Sequence, residues 1–215
     1  MHTQLILNNR MDYNTLADKE LVTKTITALG ANGIEAMVVD TKEAALEEVK
    51  KLIPQGASVM NGSSTTLQQI GYIEYLKAGA HGWVNLHEVI LKETDKEKQA
   101  VLRKQSAMSD FYLGSAHAVT QDGELLIASA SGSQLPALAF DAKNIILVAG
   151  AQKIVPALTD AFDRLKTHVF PLEDKRMKDA GQGGSTIAKV LIFAKEPAWT
   201  GRKVHLILVN EALGF

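Results

Sequence analysis

A run of six small, hydrogen-bonding residues, Asn61-Gly62-Ser63-Ser64-Thr65-Thr66, separates a strand-like apolar segment from a helix-like one. In open α/β sheets, ligands bind beyond the carboxyl ends of strands, where the next helix begins. The unpaired amides and partial positive charge at that point favour a phosphate or a carboxylate. We therefore predict an anion site at residues 61–66. A helix cap in a tight turn is the structural alternative.

Lys153 is a second candidate, because it follows the apolar segment "NIILVAG" and should lie at the same carboxyl edge as residues 61–66. A lysine there could pair with a carboxylate or phosphate, or stabilise an enolate during catalysis. The alternative is a solvated lysine in the first turn of the following helix, where its charge opposes the helix dipole.

Glu88 and a second small-residue loop complete the candidate site. Glu88 stands in the apolar, strand-like stretch "LHEVIL", where burial would raise its pKa and suit it to catalytic proton transfer. An exposed position on an alternating strand is the other reading. The loop Ser131-Gly132-Ser133 could close over an anion held at residues 61–66, or it could simply cap the next helix.

Composition excludes several classes of function. The chain has no cysteine, which removes disulfides, thiolate metal sites and cysteine-ligated clusters. Its six histidines show no metal-binding spacing, so we predict neither a metal nor a cofactor. A net charge of −1 without a basic block argues against nucleic acid. No apolar run is long enough to span a membrane and no secretion signal is visible, so we expect a cytoplasmic protein.

Strand-like and helix-like segments alternate along the chain, which predicts an α/β fold: a mostly parallel sheet flanked by helices, with antiparallel hairpins. "QDG" at residues 121–123 predicts one hairpin, and the segments "TIAKVLIFA" and "VHLILVN" suggest another. The length of 215 residues fits a single domain, with an N-terminal helical segment at 1–33 and an α/β body at 34–215.

Four segments in this order resemble the LUD (lactate-utilisation) domain family: "NGSSTTLQQIGYIEYL", "VTQDGELLIASASGSQLPALAF", "NIILVAGAQKIVPAL" and "VHLILVNEALGF". The resemblance spans nearly the whole chain. It implies a fold like that of sugar-phosphate isomerases and coenzyme A transferases, in which a Gly/Ser/Thr-rich strand–helix junction holds a substrate phosphate. It also implies an association with lactate oxidation beside iron–sulfur proteins.

The chain departs from its relatives at two places. Some single-domain members carry a cysteine-rich segment before the final strands, where this chain has "DAGQGGSTIAKVLIFAKEPAWTG". Any cluster role would therefore belong to another chain. Isomerase-like relatives carry an acid where Gln152 stands, so a carboxylate role cannot be transferred to this position.

Two functions remain open at this point. The chain could bind a small anionic metabolite, with or without catalysis, or it could be a non-catalytic accessory subunit that docks on iron–sulfur redox partners of lactate oxidation. The sequence does not decide whether the protein is an enzyme. A homodimer is compatible with the resemblance.

Overall fold

The computed structural model of the chain describes residues 11–215. Residues 1–10 of the predicted N-terminal segment lie outside this range. A six-stranded sheet with the order β1-β10-β7-β4-β2-β3 forms the larger part of the fold, and all its strands are parallel. Its strands are β1 (Glu35–Val39), β2 (Ser58–Asn61), β3 (Val84–Asn85), β4 (Phe111–Gly114), β7 (Asn144–Gly150) and β10 (Lys203–Val209).

A second, four-stranded sheet has the order β8-β5-β6-β9 and mixed strand directions. Its strands are β5 (Ala118–Thr120), β6 (Leu125–Ser129), β8 (Ile154–Val155) and β9 (Lys189–Phe193). The β5–β6 pair is antiparallel, which confirms the hairpin predicted at residues 121–123. The α/β prediction, with a mostly parallel sheet, is therefore confirmed.

Helices cover both sheets. Those N-terminal to β4 are α1 (Lys19–Ala31), α2 (Lys42–Leu52), α3 (Thr65–Gln69), α4 (Tyr72–Lys77), α5 (Leu86–Lys92) and α6 (Lys96–Gln105). After β8, α7 (Leu158–Arg164) continues through a π-helical turn (Leu165–Val169) into α8 (Phe170–Asp179). Turns of this kind occur often at functional sites.

The central strands β7 and β10 are buried on both faces because each face packs against a separate core. Alternate residues of β7 point to opposite faces. Ile145 and Leu147 join a core formed with α1 and the second sheet. Ile146 and Val148 join a core formed with α2, α3 and α4. A continuous apolar segment such as "NIILVAG" is typical of a strand that is buried on both faces.

Three sequence predictions are corrected. β9 and β10 do not form a hairpin: β9 pairs with β6 in the second sheet, and β10 lies between β1 and β7 in the large sheet. The stretch around Glu88 is the helix α5 rather than a strand. The helix-like segment after residues 61–66 is not a single helix, because Gly71, with a left-handed φ of 82°, divides it into α3 and α4.

Among residues 11–215, no helix is both long enough and apolar enough to cross a membrane.

Candidate functional site

A cavity of about 460 Å³ opens between the carboxyl edge of the large sheet and the second sheet. The segments after β2, β4, β7 and β10 reach it from the large sheet, and these strands are adjacent to one another. The segment after β6 and the α7–α8 helical stretch form its other wall. The cavity therefore has the position expected of a ligand site in a parallel α/β sheet.

The predicted junction forms one side of this cavity. Residues 62–66 line it, and the Ser64 hydroxyl caps α3 by accepting a hydrogen bond from the amide of Leu67 at 3.2 Å. At Gly62 a Cβ would be 2.9 Å from Gln134 Oε1 and 3.0 Å from Tyr112 Oη. Glycine thus allows the close approach of these two side chains to the backbone, and a larger residue would require them to shift.

Lys153 extends into the same region from the turn after β7. Only 2% of the residue is exposed, so the alternative of a solvated lysine is wrong. Its Nζ donates to Thr66 Oγ1 and Ser115 Oγ, each at 3.1 Å, and to the carbonyl of Ala116 at 3.2 Å. All three partners are uncharged. Among residues 11–215, no carboxylate forms an ion pair with this amine.

A second buried cation lies behind Lys153. Arg164, at the end of α7, is fully buried and donates from Nη1 to the carbonyl of His117. Its Nε and Nη2 have no hydrogen-bond partner among the described residues. Burial, followed by the charge of Arg164, lowers the pKa of Lys153 to about 7. Burial also lowers the pKa of Arg164 to about 10.

His117 lines the cavity in a fixed tautomer. The amide of Ala128 donates to its Nδ1 at 3.1 Å, so the proton of the neutral ring is on Nε2. Burial, then the charges of Lys153 and Arg164, lower the pKa of His117 to about 3. The ring is therefore a neutral hydrogen-bond donor at physiological pH.

The outer wall carries a bidentate ion pair between Arg176 and Glu173 on α8. Arg176 Nε and Nη2 each lie 2.7 Å from a carboxylate oxygen of Glu173. The hydrogen bond to Glu173 raises the pKa of Arg176. Since the charge of this guanidinium is already matched, Lys153 is the cavity's unmatched cation among the described residues.

The segment after β10 covers Lys153. A Cβ on Gly214 would lie 2.3 Å from Thr66 Oγ1 and 2.9 Å from Lys153 Nζ. Gln152 holds this segment by donating from Nε2 to the carbonyl of Leu213 at 2.9 Å. Gln152 is therefore a buried anchor for the cover of the cavity, at the position where relatives were expected to carry an acid.

The structure brings most of the predicted residues together. Gly62, Ser63, Ser64, Thr65, Thr66, Ser131, Ser133 and Lys153 all line the cavity. Asn61 is buried at the end of β2, and its Nδ2 donates to the carbonyl of Gly62. Gly132 lies against Lys189, where a Cβ would be 2.6 Å from Cδ. Neither Asn61 nor Gly132 is a lining residue.

Glu88 is not part of this cavity. It is exposed on α5 and forms an ion pair with Lys92. The hydrogen bond from Lys92 lowers the pKa of Glu88, so the expectation of a buried carboxyl with a raised pKa is wrong. The strand prediction around Glu88 was wrong because an apolar run interrupted by one acid also fits a short helix with a single buried face.

Sequence reasoning missed His117, Arg164 and Arg176 as cavity or near-cavity groups. Each lies in a segment that folds against residues 61–66 from far along the chain. An arginine within the apolar helical face around Ala161 and Leu165 was the one local signal, because arginine is rarely buried without a reason. Within residues 11–215, no three His, Asp or Glu side chains cluster as metal ligands.

The fold and the cavity define an α/β protein with a polar cavity at the carboxyl edge of a parallel sheet. The LUD domain family matches residues 22–209, and the chain belongs to this family. A DUF162 family protein from Deinococcus radiodurans has a similar fold, with a TM-score of 0.53 at 12% sequence identity. The similarity covers 91% of this chain and 100% of the other. No protein of curated function matches the sequence.

Proposed function

We propose that this LUD-domain protein binds a small carboxylate- or phosphate-bearing metabolite in the cavity and serves lactate or other organic-acid metabolism. The observation that carries the proposal is Lys153, a buried amine that borders the cavity and has only uncharged partners. Buried charges in proteins are normally paired. An anionic ligand would supply the missing partner.

The lining of the cavity supports an anion in a second way. Hydroxyl groups from Ser63, Ser64 and Thr65 approach from one side, and those of Ser131 and Ser133 approach from the other. Hydroxyls and the Nε2–H of His117 can donate to carboxylate or phosphate oxygens. The one acidic side chain among the described lining residues, Glu173, is already paired with Arg176 and repels an anion less than a free acid would.

The size of the cavity favours a small metabolite. Ligand pockets are commonly about 300–1,000 Å³, and this cavity of about 460 Å³ is near the lower end of that range. A lactate-sized acid or a short sugar phosphate would occupy it without displacing the walls. The association of the family with lactate utilisation makes lactate and pyruvate the first compounds to measure.

Calorimetric titration of lactate, pyruvate, inorganic phosphate and a sugar phosphate tests the proposal. We expect at least one of them to bind the native chain at about pH 6.5, where Lys153 is mostly charged, and to bind Lys153→Met at least about tenfold more weakly. The exposed residue Lys166 provides a matched control, and Lys166→Met should bind like the native chain. Equal affinity in Lys153→Met would contradict an anion site at Lys153.

A second candidate function, docking on an iron–sulfur partner of lactate oxidation, rests on the opposite edge of the large sheet. There Phe140 and Trp199 are 79% and 87% exposed, in the turns that precede β7 and β10. Arg202 joins these turns by donating to the carbonyls of Leu138 and Ala139. Large exposed aromatic residues are typical anchors of protein interfaces.

Affinity purification under gentle conditions from the native cell tests the docking candidate. The native chain should retain an iron–sulfur protein that is lost from the double variant Phe140→Ser, Trp199→Ser. A native chain that elutes alone, or a partner retained equally by the double variant, would argue against docking at this edge.

A further inference from the structure

Lys153 has a chemical capacity beyond holding an anion. We propose that its amine captures the carbonyl carbon of a small anionic aldehyde or ketone as an imine. This inference rests on the proposed function, because the anionic group of the same compound would occupy the hydroxyl-lined part of the cavity. It identifies the substrate class as carbonyl compounds that carry a carboxylate or a phosphate.

The surroundings of Nζ suit a nucleophilic amine. A lysine becomes nucleophilic at neutral pH when it is desolvated or lies near another cation. Lys153 meets both conditions, since it is buried and Arg164 is close enough to affect its titration. Arg164 is the charged group that affects the titration of the amine, and the amine in turn affects the titration of His117 and His168. All three of these described groups are basic.

Two hydroxyl groups are placed to move the protons that the reaction requires. Thr66 Oγ1 and Ser115 Oγ are each 3.1 Å from Nζ, and the two oxygens are 3.3 Å apart. When the amine is neutral, one hydroxyl can donate to its lone pair while the other accepts from an N–H. When that hydroxyl rotates away, the lone pair of Nζ is free to attack the carbonyl carbon.

The chemical step balances without another reactant. The lone pair of Nζ forms a bond to the carbonyl carbon, and the π electrons of the C=O bond move to oxygen. One amine proton passes through the hydroxyls to that oxygen and gives a carbinolamine. The C–O bond then breaks, the second amine proton leaves with the hydroxyl group as water, and the C=N bond forms. The carbonyl oxygen and both protons of the neutral amine thus leave together as one water.

Borohydride trapping tests the proposal directly. The native chain is incubated with pyruvate or with glycolaldehyde phosphate, reduced, digested and mapped by mass spectrometry. We expect a secondary amine on Lys153 that carries the skeleton of the compound without its carbonyl oxygen. The adduct should be absent from Lys153→Met and unchanged in Lys166→Met. The two compounds distinguish a carboxylate from a phosphate as the preferred anionic group.

The pH dependence separates capture from simple binding. Imine formation requires the neutral amine, so trapping should increase between roughly pH 6 and pH 8 as Lys153 loses its proton. Binding of lactate, which has no carbonyl group to react and keeps a constant charge in this range, should weaken over the same interval because Lys153 loses its charge. A trapping yield that falls with pH would overturn the proposal.

The remaining outcomes also give clear answers. If lactate or phosphate binds but no adduct forms on Lys153, the imine proposal is wrong and the anion site stands. If adducts spread over exposed lysines and spare Lys153, the imine proposal is again wrong. If neither binding nor trapping occurs, the proposed function fails together with it.

Discussion

The two edges of the large sheet carry opposite chemistry, although the same strands end at both. At the carboxyl edge, β2, β4, β7 and β10 lead into a cavity with hydroxyl groups and a buried amine. At the amino edge, the turns before β7 and β10 expose Phe140 and Trp199. A polar cavity suits a small charged ligand, and exposed aromatic residues suit a protein partner. The proposed metabolite site and the proposed docking surface therefore lie at opposite edges of the sheet and do not overlap.

The largest effect is expected at Gly150, where β7 ends. A Cβ there would be 2.0 Å from Gln152 Oε1, 2.4 Å from the carbonyl oxygen of Glu211 and 2.7 Å from the amide of Leu213. Gly150→Val should therefore displace the segment that covers Lys153 and destabilise the protein by about 3 kcal/mol. Urea unfolding measures this change, and a variant as stable as the native chain would contradict the close packing of this segment.

The next-largest effect is a dependence of the free energy of unfolding on pH, which arises from Lys153 at the carboxyl edge. The pKa of Lys153 is lowered from 10.5 to about 7 in the folded state. Between these values the unfolded chain binds more protons, so the free energy of unfolding contributed by Lys153 rises with pH. We expect a rise of about 2 kcal/mol from pH 7 to about pH 9.

Urea midpoints across this pH range provide the measurement. The increase in the free energy of unfolding with pH should be absent from Lys153→Met. It should persist in Lys166→Met, because Lys166 is exposed. The same rise in Lys153→Met would assign the pH dependence to another group.

At Gly62, we expect a substitution to have a smaller effect on stability and a clear effect on anion affinity. The atoms nearest to an added Cβ belong to the side chains of Gln134 and Tyr112, which can adjust by a few tenths of an ångström. Gly62→Val should therefore reduce stability by about 1 kcal/mol. It should weaken binding of the anion at least about tenfold, because the new side chain intrudes where the cavity walls approach. Unchanged affinity by calorimetry would place the site elsewhere.

The smallest effect is expected at the amino edge. Trp199 is 87% exposed, so Trp199→Ser should change the free energy of unfolding by no more than about 0.5 kcal/mol. Ligand affinity at the carboxyl edge should not change. A loss of either would show that the two edges are coupled and would remove the contrast between them.

The elements that sequence predicts well are those with local signals. Thr41, a residue type that favours helix starts, caps α2, "QDG" forms the predicted β5–β6 hairpin, and "NIILVAG" forms a doubly buried strand. The placement of Lys153 beside Thr66 could also be predicted, because both residues follow parallel strands that end at the same edge of the sheet.

The rest depends on contacts between distant segments. The C-terminal strands were predicted as a hairpin because alternation and turn residues look the same when two strands enter different sheets. β9 is half-exposed, whereas β10 is buried from Val204 onward, and this difference separates the two strands. The pairing of Arg164 with the carbonyl of His117 spans 47 residues, and no local pattern specifies it.

An NMR titration of the lysine side chains, with and without the anion that binds most tightly, tests the central claim most directly. Lys153 has no acidic partner among the described residues, and burial lowers its pKa to about 7. We predict that one lysine titrates near that value in the free protein, that its resonance is absent from Lys153→Met, and that its titration shifts to higher pH when the anion is bound. A Lys153 resonance that titrates near the ordinary value of 10.5, with or without the anion, would contradict it.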